Sequence, residues 1–252
     1  MNIKKEKFEQ QRLNFNYVVK SISAPDEITD LGLKEDFDEW LKYRRLHADF
    51  LLKGSESKFF QECEVTFDEM DTIAESVFFV FHYGPYFTLP LHFVKKLGYS
   101  GASFILTSES IDFSLVARCA ESFGEVLEPI VIDPSGLFVK KVLRAKKRGH
   151  CIFILVDLPV GSDDKSFAMF DTYFGKIKHR LGYMRIAELL KQQPVLIVPE
   201  VSDDFKTMKV KKINVDSHEN VISEYTKLLK KNYRHFERVD ELARMCSFTQ
   251  AI

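Results

Sequence analysis

Much of what would assign this chain quickly is missing from it. The four cysteines, Cys63, Cys119, Cys151 and Cys246, are widely scattered. No C-x-x-C pair or Cys/His cluster has metal-ligand spacing, so neither a zinc module nor a disulfide framework is expected. The net charge is only −1, without the excess of Lys and Arg on which general nucleic-acid binding depends. Neither a G-x-G-x-x-G nor a G-x-x-x-x-G-K-[ST] fingerprint occurs, which removes the common nucleotide-binding loops. There is no G-x-S-x-G elbow, because Ser135-Gly136 lacks the preceding glycine, and this argues against a Ser–His–Asp hydrolase. The N-terminal residues are charged and have no apolar signal-peptide core. The longest apolar run, Ser76 to Val94, is interrupted by His82, Gly84, Pro85 and Pro90, which disqualifies it as a membrane span. Repeats, low-complexity tracts and linkers are also lacking. The expectation is one cytoplasmic domain that can touch the inner membrane peripherally.

What is present is the make-up of an ordinary globular protein: 252 residues, 45% apolar and 29% charged, with an unusual 23 phenylalanines. For any single Phe, a core position is the leading explanation, although so many also suit an apolar substrate groove. Basic residues bunch at 140–148 (KKVLRAKKR) and 206–212 (KTMKVKK). Such runs form either a solvated face or a landing patch for a phosphate-bearing or acidic partner.

Residues 1–70 read as a helical lead-in, with Phe37, Leu41, Leu46, Phe50 and Leu51 at helical spacing. From residue 76 short apolar runs begin: Val77–Phe81, Ser103–Leu106, Pro129–Ile132, Cys151–Val156 and Pro194–Val201. Candidate helices lie between them at 86–97, 111–124, 136–148 and 181–192. Continuous Val/Ile/Phe runs suit strands buried on both faces, and their alternation with helices implies right-handed crossovers. The expected fold is therefore α/β: a mixed, mostly parallel sheet of about six or seven strands flanked by helices, spanning 76–215. Residues 206–215 alternate as an antiparallel edge strand, and 218–252 hold C-terminal helices, with 218–246 reading as two charged ones.

Sites in such sheets collect at the carboxyl edge, where strands turn into helices. His82 follows an apolar strand there, and Gly84-Pro85 turn the chain into the next helix. Histidine is the commonest general base because its pKa lies near neutrality. Unpaired N–H groups at the helix start would favour an anion or oxyanion. A partly buried histidine capping a strand is the plainer alternative. Tyr83 and Tyr86 flank it, with hydroxyls that can meet a substrate or simply be buried with ordinary partners. His179 lies in the basic Lys-x-Lys-His-Arg stretch ending at Arg180, read as a turn; His92 reads as structural, and Cys151 as a core residue.

Taken in order, several blocks carry a resemblance. They are Phe81-His82-Tyr83-Gly84, Val156-Asp157-Leu158-Pro159, Tyr173-Phe174-Gly175, Gly182 with the helix containing Ala187-Glu188-Leu189, and Val195–Val198 followed by Pro199. Over about residues 76–201 the chain resembles the lysophospholipid-acyltransferase superfamily, in the branch of bacterial lipid A lauroyl/myristoyl acyltransferases. The resemblance implies thioester-dependent acyl transfer from acyl carrier protein or acyl-coenzyme A to a hydroxyl or amine. The acceptor would be a lipid, a glycolipid or a small amine or peptidic molecule. His82 would be the general base, and no metal or redox cofactor is implied. Phe174 and Gly175, with Lys140, Lys141 and Arg144, would help to bind substrate; Gly84, Tyr83, Tyr86, His179 and Arg180 complete the candidate site.

The family places an Asp or Glu after four residues intervene beyond the histidine, where this chain has Phe87. Three readings follow. Another carboxylate reaches His82, Asp157 first and Glu200 second; or the histidine works alone; or the protein binds an acyl chain or carrier protein without chemistry. A structural subunit of a membrane acyltransferase is a further alternative. The branch also usually begins with an apolar N-terminal helix and ends with a Trp-containing segment, whereas here Trp40 is the only tryptophan.

Overall fold

A computed structural model of the chain describes residues 2–23, 28–68, 77–106, 118–119, 121–124, 126–132, 135–157 and 167–248. Ten strands appear in these segments. Seven form one sheet in the order β1-β9-β8-β2-β5-β3-β4. They are β1 (Glu64–Phe67), β2 (Val77–Val80), β3 (Gly101–Leu106), β4 (Leu127–Val131), β5 (His150–Leu155), β8 (Val195–Val201) and β9 (Thr207–Asn214). The five strands from β8 to β4 run parallel, while β9 is antiparallel to β8 and β1 runs parallel to β9. The fold is thus the expected α/β arrangement with a mixed, mostly parallel seven-stranded sheet.

The strands form where the sequence offers unbroken apolar runs. Val77–Val80 and nearly all of His150–Leu155 are buried, as the two-sided cover of a parallel sheet requires. On one face Val77, Phe79, Phe81, Ile152 and Ile154 pack against the helices α1 (Asn2–Ile22) and α2 (Asp30–Lys53) and the C-terminal elements. On the other, Phe78, Val80 and Phe153 meet α4 (Leu89–Leu97). Helix α2 starts at Thr29, whose side chain accepts the Gly32 N–H, and it buries Leu33, Phe37, Trp40, Tyr43 and Phe50. Most phenylalanines whose burial is described lie in this packed interior.

Four local expectations are corrected. The lead-in is not wholly helical: after α2 and the short α3 (Lys58–Glu62), residues 64–67 form β1, paired with β9 from Glu64↔Thr207 to Phe67↔Val210. Strand β9 is consequently not an edge, since β1 covers it. The basic Lys176–Arg180 stretch is not a turn. It is strand β7 (Gly175–Arg180), which alternates Ile177 and His179 inward with Lys176 outward. It pairs with β6 (Phe167–Thr172) in a hairpin whose turn is Tyr173-Phe174, and with β10 (Cys246–Phe248). Gly175 there has φ +131°, a backbone that favours glycine. Finally, the C-terminal part is one helix, α7 (His218–Asn232), then two 3-10 turns and the four-residue α8 (Leu242–Met245), instead of two full helices. Residues 235–237 are drawn away from helix geometry because their backbone pairs with 82–84.

The other two crossover helices match the expected spans, α5 at Leu137–Lys147 and α6 at Gly182–Leu189. Most of the helix expected at 111–124 lies outside the described residues, as does Leu158-Pro159. No helix is long and apolar enough to cross a membrane among the described residues.

Candidate active site at the carboxyl edge

Parallel register brings two side chains together. Strand β2 pairs with β5 from Val77↔Ile152 to Val80↔Leu155, and Val156 N–H continues the ladder to Val80 O. Carrying that offset two residues onward sets His82 beside Asp157, both just beyond the carboxyl ends of their strands. Asp157 Oδ1 lies 2.7 Å from His82 Nδ1, and Asp157 Oδ2 accepts the His82 backbone N–H at 2.7 Å. One carboxylate thereby holds both the ring and the main chain of the histidine. Both residues are buried, His82 to 7% and Asp157 to 2% exposure. Burial pushes the imidazole pKa down, but the Asp157 charge and hydrogen bond, with Glu237 behind them, outweigh it. The net direction is up. With Nδ1–H donated to Asp157, Nε2 is the nitrogen left for proton transfer.

Tyr86 stands edge-on to His82, with ring centroids 5.1 Å apart, and its hydroxyl donates to Glu237 Oε2 at 2.5 Å. The same Oε2 is 3.1 Å from His47 Nδ1. Burial raises the Glu237 pKa, yet His47, His82 and the Tyr86 hydroxyl together hold it far below the usual carboxylate range. Arg238 approaches Glu237 and pairs with Glu241. Sequence reading missed His47, Glu237 and Arg238. They lie at least 35 residues from His82 in the chain, and no local motif marks them; only the turn at 235–237 folding back on β2 unites them. Glu237 N–H donates to His82 O, and Gly84 N–H to His235 O.

Phe87 does not face a vacancy left by an acid. It stacks on His47 with centroids 4.1 Å apart and packs against Phe50. Glu200, the second carboxylate considered, is held by Lys211 at 2.7 Å and Lys231 at 2.8 Å, and makes no hydrogen bond to His82. The free N–H groups expected beside His82 are largely committed as well. Those of His82, Gly84 and Tyr86 bond to Asp157, His235 O and Gly84 O.

The remaining candidates are spread out. Gly84, at φ +54°, brings its backbone so close to Pro199 that an added Cβ would lie 2.2 Å from Pro199 O. Tyr83 faces the opposite side of the sheet from His82 and packs on Phe236 at 4.8 Å. Phe174 is buried in the β6–β7 turn, beside Gly175. His179 is buried, not on a surface turn, and shares the Tyr183 hydroxyl with His218 at 2.9 and 2.8 Å. Burial and the neighbouring His218 bring its pKa down to about 3. The Arg180 guanidinium lies over the Phe167 ring, 5.3 Å from its centroid. Lys140, Lys141 and Arg144 occupy the exposed face of α5. No group of three or more His, Cys, Asp or Glu is placed to hold a metal ion among the described residues.

Fold and site together define an α/β chain carrying a buried His–Asp pair at the carboxyl edge of its parallel strands. No protein-family model matches the chain, and no curated protein matches it.

Proposed function

We propose that the protein is an acyltransferase that moves a fatty acyl group from an acyl-carrier-protein or acyl-coenzyme A thioester to a hydroxyl or amine. The single observation that carries this reading is the 2.7 Å contact between His82 Nδ1 and Asp157 Oδ1. It supplies the acid partner that Phe87 cannot. His82 Nε2 takes the proton from the acceptor as its oxygen or nitrogen attacks the thioester carbonyl. The carbon–sulfur bond of the tetrahedral intermediate then breaks, and the imidazolium returns the proton to the departing thiolate. Asp157 stabilises the imidazolium between these steps. Support also comes from the ordered blocks around His82, Asp157 and Phe174-Gly175, which resemble the lysophospholipid-acyltransferase pattern. The basic face of α5, with Lys141 and Arg144, suits a phosphate-bearing donor or acidic carrier protein, and contact with a membrane surface would be peripheral.

The experiment is to incubate the protein with acyl-coenzyme A and acyl-carrier-protein donors of several chain lengths, alone and with hydroxyl or amine acceptors. Free thiol and acylated product are measured together. Product formation that disappears in His82→Ala supports the proposal, and the preferred donor defines the substrate class. A protein that binds acyl thioesters without releasing thiol is a binding module instead.

A further inference from the structure

A cavity lies on the Tyr83 side of the sheet. There the amino end of β1, the carboxyl end of β8, the β8–β9 turn and the end of α7 surround a volume of about 540 Å³, within the usual size of small-molecule sites. Its lining includes the buried Tyr83 and His235, the half-buried Asn232 and Glu200, and the exposed Glu64 and Asp203.

The polar groups here divide into those already committed and those left over. Both lysines of the lining are engaged with carboxylates: Lys231 with Glu200 at 2.8 Å, and Lys209 with Asp68 at 2.8 Å. Glu200 is also held by Lys211. Glu64 and Asp203, by contrast, have no cation at ion-pair distance among the described residues. Tyr83 is only 3% exposed, and its hydroxyl makes no hydrogen bond to a described residue. Asn232 Oδ1 is buried without a partner. An unmade hydrogen bond at a buried polar atom is costly, so Asn232 Oδ1 calls for a partner, and the Tyr83 hydroxyl, in the cavity wall and without a hydrogen bond to a described residue, is free to bond a molecule held there. His235 adds no positive charge near neutrality, since burial and Arg234 bring its pKa down to about 4. What the site offers an incoming molecule is therefore acceptors and negative charge, with one tyrosine hydroxyl.

We propose that this cavity binds a small organic amine. The ammonium group lies between the Glu64 and Asp203 carboxylates, and its polar end reaches Tyr83 and Asn232. The inference does not rest on acyl transfer: Tyr83 points to the face carrying Phe79 and Phe81, whereas Tyr86, edge-on to His82, lies on the other. The test is calorimetric titration with ethanolamine and 1,4-diaminobutane. Succinate and inorganic phosphate at equal ionic strength are the anionic controls. Saturable binding of an amine but not of the anions is expected. Tyr83→Phe, which removes one hydrogen bond, should weaken it about fivefold, and Asp203→Asn and Glu64→Gln should do so by a similar factor. Because Glu64 and Asp203 are exposed, their variants keep the test valid even if Tyr83→Phe folds poorly. Absence of amine binding, preference for the anions, or amine affinity unchanged in all three variants would overturn the proposal.

Discussion

Replacing Asp157 by Asn changes one atom of the side chain and removes the charge that steadies His82. The two groups are 2.7 Å apart at their closest atoms and nearly inaccessible. Taking about 4 Å between charge centres and an effective dielectric of about 20, an imidazolium–carboxylate pair is worth roughly 4 kcal/mol. If that attraction operates only when His82 carries the transferred proton, its loss slows the reaction about a thousandfold. The amide also presents only one oxygen where the carboxylate now serves both Nδ1 and the His82 backbone N–H. The pH profile moves with it. In the native protein burial lowers the His82 pKa while Asp157 and Glu237 raise it to a net increase. The base is then neutral, and activity develops, only above a pH higher than that of an ordinary histidine. In Asp157→Asn burial is opposed by less, so the acidic limb shifts to lower pH while the plateau falls. Thiol-release rates measured from pH 5 to 9 for both proteins provide the check. A variant within threefold of native activity, or one whose acidic limb moves upward, would refute the assignment of Asp157 as the partner of the base. Stability carries the same sign information. A raised folded pKa means that the His82 contribution is complete below about pH 6.5 and is lost as pH rises through the folded value.

Other expectations concern the surroundings. Glu237→Gln leaves His47 without its carboxylate and weakens the hydrogen bond from Tyr86, so denaturant unfolding should register a loss of about 2–3 kcal/mol. Gly84→Ala meets Pro199 O at 2.2 Å from its new Cβ, on a backbone at φ +54°; it should cost at least about 2 kcal/mol by the same assay. His92, His179 and His235 are buried with pKa values lowered to about 4, about 3 and about 4, mainly by burial. Their depressed values mean that the unfolded chain takes up protons first as pH falls below about 6.5. Stability should then decline by on the order of 2 kcal/mol per histidine down to about pH 4, and thermal unfolding between pH 7 and 4 checks this. A flat profile across that range would contradict their being buried and neutral.

The parts of the fold legible in the sequence were those encoded by local pattern. Val77–Val80 and His150–Leu155 are apolar throughout or nearly so, and only a strand covered on both faces buries such a run. The pairing of His82 with Asp157 was approachable for the same reason. Two neighbouring parallel strands ending in a polar residue place those residues at one edge. What stayed hidden depends on long-range closure. Glu64–Phe67 is too short and too polar to announce itself as a strand, and it becomes one because β9 offers its free edge. Lys176–Arg180 looks like a surface turn by charge, yet its inward residues are Ile177 and His179, and the hairpin partner decides its conformation. Glu237 and His47 reach the site only because Phe236 pairs with Tyr83 and its carbonyl accepts the Trp40 indole N–H. No spacing rule connects residues 47, 82 and 237.

The most direct test is thiol release from the preferred acyl thioester by native protein and by His82→Ala, at saturating donor and pH 8. Clear release by the native chain is expected, with a loss of at least about a hundredfold in the variant and donor binding retained. Equal release by the two proteins would contradict a catalytic His82, and binding of the donor with no release by either would contradict acyl transfer itself.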